Sequence, residues 1–400
     1  MKRILMVALD FPPCKSAGVQ RTLKFAEYLL ELGWEPIVLT VEPSAHESVD
    51  DSQEISEKIK HVYRAFSYNA SRDFAIKGKY LSIMKEPDRW WTWRFKAIPL
   101  GKELIEKYKP DVIWSTYPVS TAHSIAYHLA KWSGLPWVAD YRDPVQSRYD
   151  ASVKSYLNLA QRIEKNTITH ASKVVFTTRK ASILYESLYQ DQPLDKFHVI
   201  ENGYDEGNFA SLVEDMNKTQ ANDKFVLLHS GAVYQNGRDP TAIFKALATL
   251  KKQNKISSDT FELSFRGITG EAYLPLVNDL GIEDLVKFTP SISYMESIKE
   301  MMSVDALLLI QGPLFNNQIP GKLFEYIRSG QPILAYTATS GATAMAMTDV
   351  EMAYQAENQD QLEQQILTLL TIEKRERCNI ERFSRYEKTK QLAQLLEQIG

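Results

Sequence analysis

Short apolar runs of β-forming residues alternate with helical stretches along nearly the whole chain, and this alternation limits the fold more than any other feature. The first set is RILMVAL (3–9), EPIVLT (35–40), DVIWST (111–116), PWVAD (136–140), KVVFTT (173–178) and FHVI (197–200). Apolarity within each run is continuous, so each strand is covered on both faces, as in a parallel sheet flanked by helices. Between the first two runs Leu23, Ala26, Tyr28, Leu29 and Leu30 recur at helical spacing, and Gly33 supplies a stop. The unit is β-α-β, and its repetition predicts an α/β fold.

The pattern restarts after residue 205 with FVLLHSG (225–231), FELSFRG (261–267), LVKFT (285–289), DALLLI (305–310) and PILAY (332–336). A chain of 400 residues has room for two domains. The stretch from Asn202 to Lys224 is polar and aperiodic and reads as a linker. The expected division is 1–204 and 205–375, two Rossmann-like parallel-sheet domains. Residues 376–400 read as a charged helix whose Leu392, Leu395 and Leu396 form an apolar stripe, able to cap the second domain or cross back to the first. Residues 43–80 show no clear period.

Lys plus Arg number 47 against 50 Asp plus Glu, a formal net charge of -3, so no global field draws the chain to nucleic acid and any anion site must be local. Cys14 and Cys378 lie outside any metal-ligand spacing, which argues against a zinc site or a disulfide scaffold and fits a reducing cytoplasm. The N-terminal apolar run is too short for a secretory signal, and no segment approaches the roughly 20 apolar residues of a spanning helix. Any membrane contact is expected to be peripheral, on the cytoplasmic face.

Four loops at strand ends carry candidate chemistry, because ligands of parallel α/β sheets bind at the carboxyl ends of strands. In NNQIPGKLFEYIRSG (316–330), Pro320 and Gly321 open a helix, Gly330 ends it, and Lys322 and Glu325 share a face near its N-terminus. Free N–H groups, the helix dipole and a lysine suit a phosphate, and a glutamate offers two acceptors to the paired hydroxyls of a ribose. On an ordinary surface helix the same spacing gives only an i,i+3 ion pair. In HSGAVYQNGRDP (229–240), Gly231 lets the backbone approach a ligand, and Arg238 stands ahead of a helix opened by Asp239-Pro240, placed to clamp a phosphate or to pair with Asp239.

The loop ALDFPPCKSAGVQR (8–21) puts Gly18 near a helix start but contains neither G-x-G-x-x-G nor G-x-x-x-x-G-K-[ST], which weighs against a dinucleotide oxidoreductase and an NTPase. ADYRDP (139–144) crowds Asp140, Arg142 and Asp143 at a strand end. No D-x-D pair offers a carboxylate cage for a metal on a diphosphate. His123 and His128 have no third ligand nearby and read as local hydrogen-bonding groups. DRWWTWRFK (88–96) mixes aromatic and basic residues, as a membrane or glycan contact would, though tryptophans also pack in cores.

In order, FPP-x3-AGVQR, DYRDP, ENGYD, HSGAVY-x3-RDP and PGKLFEY-x3-GQPILA resemble the retaining GT-B glycosyltransferases often called family 4, bacterial members that assemble surface polysaccharides in particular. The resemblance implies an acceptor-binding N-terminal domain, a C-terminal domain that binds the donor, and a terminal helix returning to the first domain. It implies Arg238 and Lys322 on the donor diphosphate, Glu325 on the ribose, the loop 317–321 with Asn317 and Gly321 on the donor sugar, and backbone near Gly267 and Ser291 around the base, beside Gly231. Gly18, Asp140 and Arg142 fall toward the acceptor, and Asp143 is the candidate for positioning it or stabilising charge.

No prosthetic group and no metal are implied. The donor is a nucleotide-diphosphate sugar, UDP first with GDP or ADP as alternatives, and the acceptor a glycan or lipid-linked glycan.

Three positions depart from the family pattern. Asn317 stands where many members carry a glutamate, Ala232 where many carry a basic residue, and Arg142-Asp143 where others often have His-Asp. Two alternatives stay open: a GT-B sugar-nucleotide epimerase, and a non-catalytic nucleotide- or glycan-binding subunit.

Overall fold

The computed structural model describes residues 1–16, 18–50, 54–145, 158–216, 224–233, 237–373 and 377–399. The chain divides into two compact units, Met1–Asn202 with Arg385–Gly400, and Gly203–Ser384.

The first unit holds strands β1 (Lys2–Val7), β2 (Trp34–Val41), β3 (His61–Ala65), β4 (Val112–Thr116), β5 (Trp137–Tyr141), β6 (Lys173–Phe176) and β7 (Phe197–Val199). They pair in parallel throughout, in the order β3-β2-β1-β4-β5-β6-β7. The second unit repeats the scheme with β8 (Phe225–Ser230), β9 (Phe261–Arg266), β10 (Val286–Thr289), β11 (Ala306–Gln311), β12 (Ile333–Thr337) and β13 (Ala353–Ala356), ordered β10-β9-β8-β11-β12-β13 and also all parallel. This is the doubly wound arrangement. Strand order reverses at β1/β4 and at β8/β11, and each reversal opens a crevice at the carboxyl ends of those strands.

The continuous apolarity of the central strands is explained by packing on both faces. Leu5, Val7 and Leu9 enter one core with Ile125, Leu129 and Trp137, while Ile4, Met6 and Ala8 enter the opposite one with Phe25 and Leu29 of the helix Val19–Glu31. Leu392, Leu395 and Leu396 of the helix Arg385–Glu397 complete that second core. In the second unit Leu308 and Ile310 face Ile243, Leu247 and Leu362, whereas Leu307 and Leu309 face Leu323, Phe324 and Ile327. Each such side chain, fully buried, contributes about 1.5–3 kcal/mol.

Two strands carry no continuous apolar run. β3 and β13 are edge strands of their sheets, and their side chains are mostly half-buried, so His61, Arg64 and Gln355 interrupt the pattern. The stretch read as a linker contains a helix, Glu206–Met216, in which Phe209 is fully buried against the second unit's core and Glu206 pairs with Arg328; residues 217–223 lie outside the described residues. Trp93 is also fully buried, and Trp90 is half-buried against the same core and donates its indole N–H to the Ala45 carbonyl, so two of the three tryptophans read as a surface contact pack against the interior. No helix among the described residues is long and apolar enough to cross a membrane.

Candidate functional site

At the crevice of the second sheet, β8 ends on Ser230 and the chain turns at Gly231 with φ +118°, a conformation that favours glycine. The helix Lys322–Ser329 starts beside this turn, and the Lys322 ammonium donates to the Ser230 carbonyl at 2.5 Å. A Cβ on residue 231 would stand 2.6 Å from Lys322 Nζ, so the glycine is required by the lysine as much as by the turn. Burial pushes the Lys322 pKa down to about 7; Arg238 adds repulsion, and Glu325 opposes both.

The surrounding side chains fix this corner. His229 Nδ1–H donates to the Leu308 carbonyl at 2.9 Å, and burial holds its imidazole well below the ordinary value and hence neutral. The Tyr326 hydroxyl accepts the Ser230 N–H at 3.0 Å, tying the helix to the strand end. Arg377, buried, reaches the Tyr326, Ile327 and Gln331 carbonyls and so satisfies the C-terminus of the helix, which Gly330 closes at φ +80°. None of these partners was singled out from sequence, although His229 and Tyr326 stand inside the two motifs.

Arg238 lies at the start of the helix Thr241–Lys252, with its guanidinium 5.7 Å from the Phe315 ring centroid. Asp239 accepts from the backbone N–H (3.0 Å) and hydroxyl (2.7 Å) of Thr241. Glu325 is half-buried and accepts the Tyr294 hydroxyl at 2.7 Å. Gly267, at φ +99°, packs against Gly231, which a Cβ on residue 267 would approach to 3.7 Å. Ser291 is exposed just past β10, where Arg266 holds the preceding Pro290 carbonyl at 3.0 Å and pairs with Glu300 at 2.6 Å.

Asn317 and Gly321 belong to the loop between β11 and the helix Lys322–Ser329, anchored where the Gly312 N–H donates to the Gly237 carbonyl (2.7 Å) and the Ala342 N–H to the Asn316 carbonyl (2.8 Å). Two buried oxygens, Asn316 Oδ1 and Thr337 Oγ1, meet no partner and lie within 3.5 Å of where a Gly341 Cβ would stand. They can accept from hydroxyl groups. A cavity of about 400 Å³ opens at the Gly237–Gly312 junction, lined also by Asp239, Lys245, Tyr336 and Gln359. Its cation Lys245 is exposed, and neither Lys322 nor Glu325 lines it.

In the first unit the loop after β1 and the turn after β5 meet. Arg142 donates to Asp10 at 2.7 Å and to the Tyr117 carbonyl at 2.5 Å. A Cβ on residue 18 would fall 1.8 Å from Arg142 Nη1 and 2.1 Å from Asp10 Oδ2, so Gly18 is the space that this ion pair fills. Asp140 is fully buried, with both oxygens bonded to Arg21 (3.0 and 2.7 Å) and one to the Thr116 hydroxyl (2.9 Å). Arg21 also reaches the Ile200 and Glu201 carbonyls at 2.9 Å each. Asp140 therefore fastens the strand end and does not face solvent.

Asp143 is half-buried. Burial raises its carboxyl above the usual range, Arg142 and Arg21 draw it down, and Asp140 pushes it up. Cys14 donates to Asp10 at 3.9 Å, and burial with that carboxylate pushes its thiol up to about 12, so it is inert. His123 shares a 2.7 Å hydrogen bond with Ser115, and burial lowers its pKa to about 3. Among the described residues no three His, Cys, Asp or Glu side chains converge as a metal site.

Residues 18–207 match the family model described as Glycosyltransferase Family 4. No curated protein sequence matches the chain. Among solved structures, sucrose-phosphate synthase from Thermosynechococcus elongatus is similar at a TM-score of 0.68 and 15% identity, over 100% of this chain and 99% of that one. HepE from Anabaena, solved with UDP and glucose, aligns at 0.62 and 14% over 100% of both chains. UDP-GlcNAc 2-epimerase from Neisseria meningitidis, bound to UDP-GlcNAc, aligns at 0.58 and 14%, again over 100% of both. Two parallel-sheet α/β units matching these structures end to end are the GT-B fold.

Proposed function

We propose that the chain transfers a sugar from a UDP sugar to a glycan or lipid-linked glycan, with retention at the anomeric carbon and without a metal, in the assembly of a bacterial surface polysaccharide. The observation that carries this reading is the corner at Gly231, where a half-buried lysine with a desolvated ammonium at a helix N-terminus, a nearby arginine and a glutamate on the same helix line one strand-order crevice. The solved HepE complexes with UDP and with UDP-glucose support uracil as the base.

In this reading the acceptor oxygen attacks the anomeric carbon on the face from which UDP departs. The bond to the β-phosphate oxygen breaks, UDP keeps the electron pair, and that phosphate takes the acceptor proton. Lys322, Arg238 and the helix N-terminus offset the growing negative charge, acting as an oxyanion hole does. Glu325 receives the ribose hydroxyls, displacing or sharing the Tyr294 hydroxyl. The loop 317–321, with Asn316 and Thr337, receives the donor sugar. Gly231, Gly267 and Ser291 border the nucleotide. In the first unit Gly18, Arg142 and Asp143 lie toward the acceptor, and the Asp140–Arg21 pair holds that loop in place.

Calorimetric titration with UDP, GDP, ADP and CMP tests the donor site. UDP is expected to bind, and Arg238→Ala, Lys322→Ala and Glu325→Ala each to weaken it; no binding of any nucleotide would refute the assignment. Activity that survives a strong chelator supports the metal-free mechanism. The likeness to an epimerase favours one rival, which is separated by incubating UDP-GlcNAc without acceptor: conversion of the sugar would replace transfer as the reaction.

A further inference from the structure

The segment from Phe66 to Lys96, running from the end of β3 into the first turn of the helix Arg94–Tyr108, carries an unusual surface. Ile76 is 78% exposed, Leu81 65% and Phe95 63%, with Tyr68, Ile83 and Met84 also exposed. Aromatic contacts and one hydrogen bond tie parts of this segment together. Phe66, Tyr68, Phe74, Trp91 and Phe95 form a chain of ring contacts at successive centroid distances of 4.8, 5.4, 6.3 and 6.0 Å. The Trp91 indole N–H donates to the Met84 carbonyl at 2.7 Å, binding the turn Ser82–Lys85 to that ladder. Ile76 and Lys79 exchange backbone hydrogen bonds at 2.8 and 3.0 Å around Gly78, which makes a tight turn with Ile76 at its edge.

The charge on this surface opposes that of the whole chain. Residues 66–96 contain seven Lys and Arg against three Asp and Glu, although the chain carries -3. Asp73 pairs with Arg72 at 2.6 Å, and Asp88 accepts the Thr121 N–H and hydroxyl at 2.7 and 2.8 Å. Lys77, Lys79, Lys85 and Lys96 stand exposed among the apolar side chains. An exposed apolar patch of this kind marks an interaction surface, and lysines interleaved with aromatic and aliphatic residues match an interface with apolar depth beneath anionic headgroups.

We propose that this face docks on a bilayer bearing anionic lipids, with Ile76, Leu81 and Phe95 entering the acyl boundary and Lys77, Lys79, Lys85 and Lys96 meeting the headgroups. The contact is peripheral. It moves the membrane-facing role from the tryptophans, which hold the scaffold, to the aliphatic and phenyl groups around them. The inference is independent of the donor site, which lies in the other unit.

The test is co-sedimentation of the full chain with phosphatidylcholine vesicles, with and without a third of phosphatidylglycerol. The native chain is expected to bind the anionic vesicles preferentially and to be released by salt. The Ile76→Ser/Leu81→Ser/Phe95→Ser variant and the Lys77→Glu/Lys79→Glu variant are each expected to bind about tenfold more weakly or worse. All substituted positions are exposed, so circular dichroism melting and UDP calorimetry should match the native chain. Failure of the native chain to bind anionic vesicles, equal binding to both compositions, or native binding by the triple-serine variant would overturn the proposal. So would a self-associating native chain whose dimer is lost in that variant, since a second copy would then be the occupant. UDP binding without vesicle binding overturns this inference alone; vesicle binding without UDP binding overturns the donor site alone.

Discussion

Measuring UDP affinity against pH isolates the contribution of Lys322. In the free protein its pKa is lowered from the ordinary 10.5 to about 7 because the ammonium is buried and faces Arg238. Between those values the folded chain binds fewer protons than the unfolded one, so its unfolding free energy rises by about 1.4 kcal/mol per pH unit; below about 7 the lysine is charged and its burial costs stability. A diphosphate reverses the balance, since its negative charge within hydrogen-bond range favours the ammonium and lifts the pKa again.

Binding must then take up a proton, about one half at pH 7 and about 0.9 at pH 8, and affinity should fall about tenfold for each pH unit above 8 until the complex itself titrates. Calorimetry in two buffers of different ionisation enthalpy counts the protons directly. Lys322→Met should abolish both the uptake and the pH slope and should weaken binding at pH 7 by about 1.5–3 kcal/mol, the contribution of a charged hydrogen bond. Uptake below about 0.2 proton at pH 8, or an unchanged slope in the variant, would refute the claim that this ammonium faces the diphosphate.

Other variants examine the remaining contacts. Glu325→Ala should weaken UDP by about 1.5–3 kcal/mol and should bind UDP and 2′-deoxy-UDP alike, whereas the native chain discriminates between them in competition titrations. Gly231→Ala combines a strained φ of +118° with a Cβ 2.6 Å from Lys322 Nζ, and should cost about 1–3 kcal/mol in denaturant unfolding as well as UDP affinity. Gly18→Ala drives a Cβ into the Asp10–Arg142 pair and should lower transfer to the acceptor while UDP affinity stays native, read by comparing initial rates with calorimetry. Arg21→Met leaves Asp140 buried without its cation and should destabilise the first unit by about 3–5 kcal/mol in chemical denaturation.

The central strands were legible because burial on both faces forces an unbroken apolar run, and the candidate loops stood out because they fall at strand ends, where ligands of such sheets collect. β3 and β13 were not, since an edge strand has no neighbour on one side and HVYRA and AYQA tolerate polar residues. Neighbouring tryptophans gave no sign of their environments either: Trp93 is fully buried, while Trp91, two residues earlier, is half-buried in the ring ladder. The ion pairs were hidden by distance along the chain. Arg21 and Asp140 are 119 residues apart and Asp10 and Arg142 are 132 apart, beyond any local spacing rule.

The two units share a device that joins the legible part of the site to the hidden part. In each, a glycine follows the strand at which sheet order reverses, and in each a cation from a distant segment occupies the space a Cβ would need, Arg142 Nη1 at Gly18 and Lys322 Nζ at Gly231. The glycine is visible in the sequence, but the reason for it is the cation. Arg142 is neutralised where it stands, by Asp10 at 2.7 Å. Lys322 instead donates to a carbonyl, which carries no net charge, and its pKa is near 7. The first corner is closed as an ion pair, whereas at the second the lysine meets a neutral carbonyl and Glu325 opposes the burial and the Arg238 charge that lower its pKa, so the proposed diphosphate would gain more there than at Arg142.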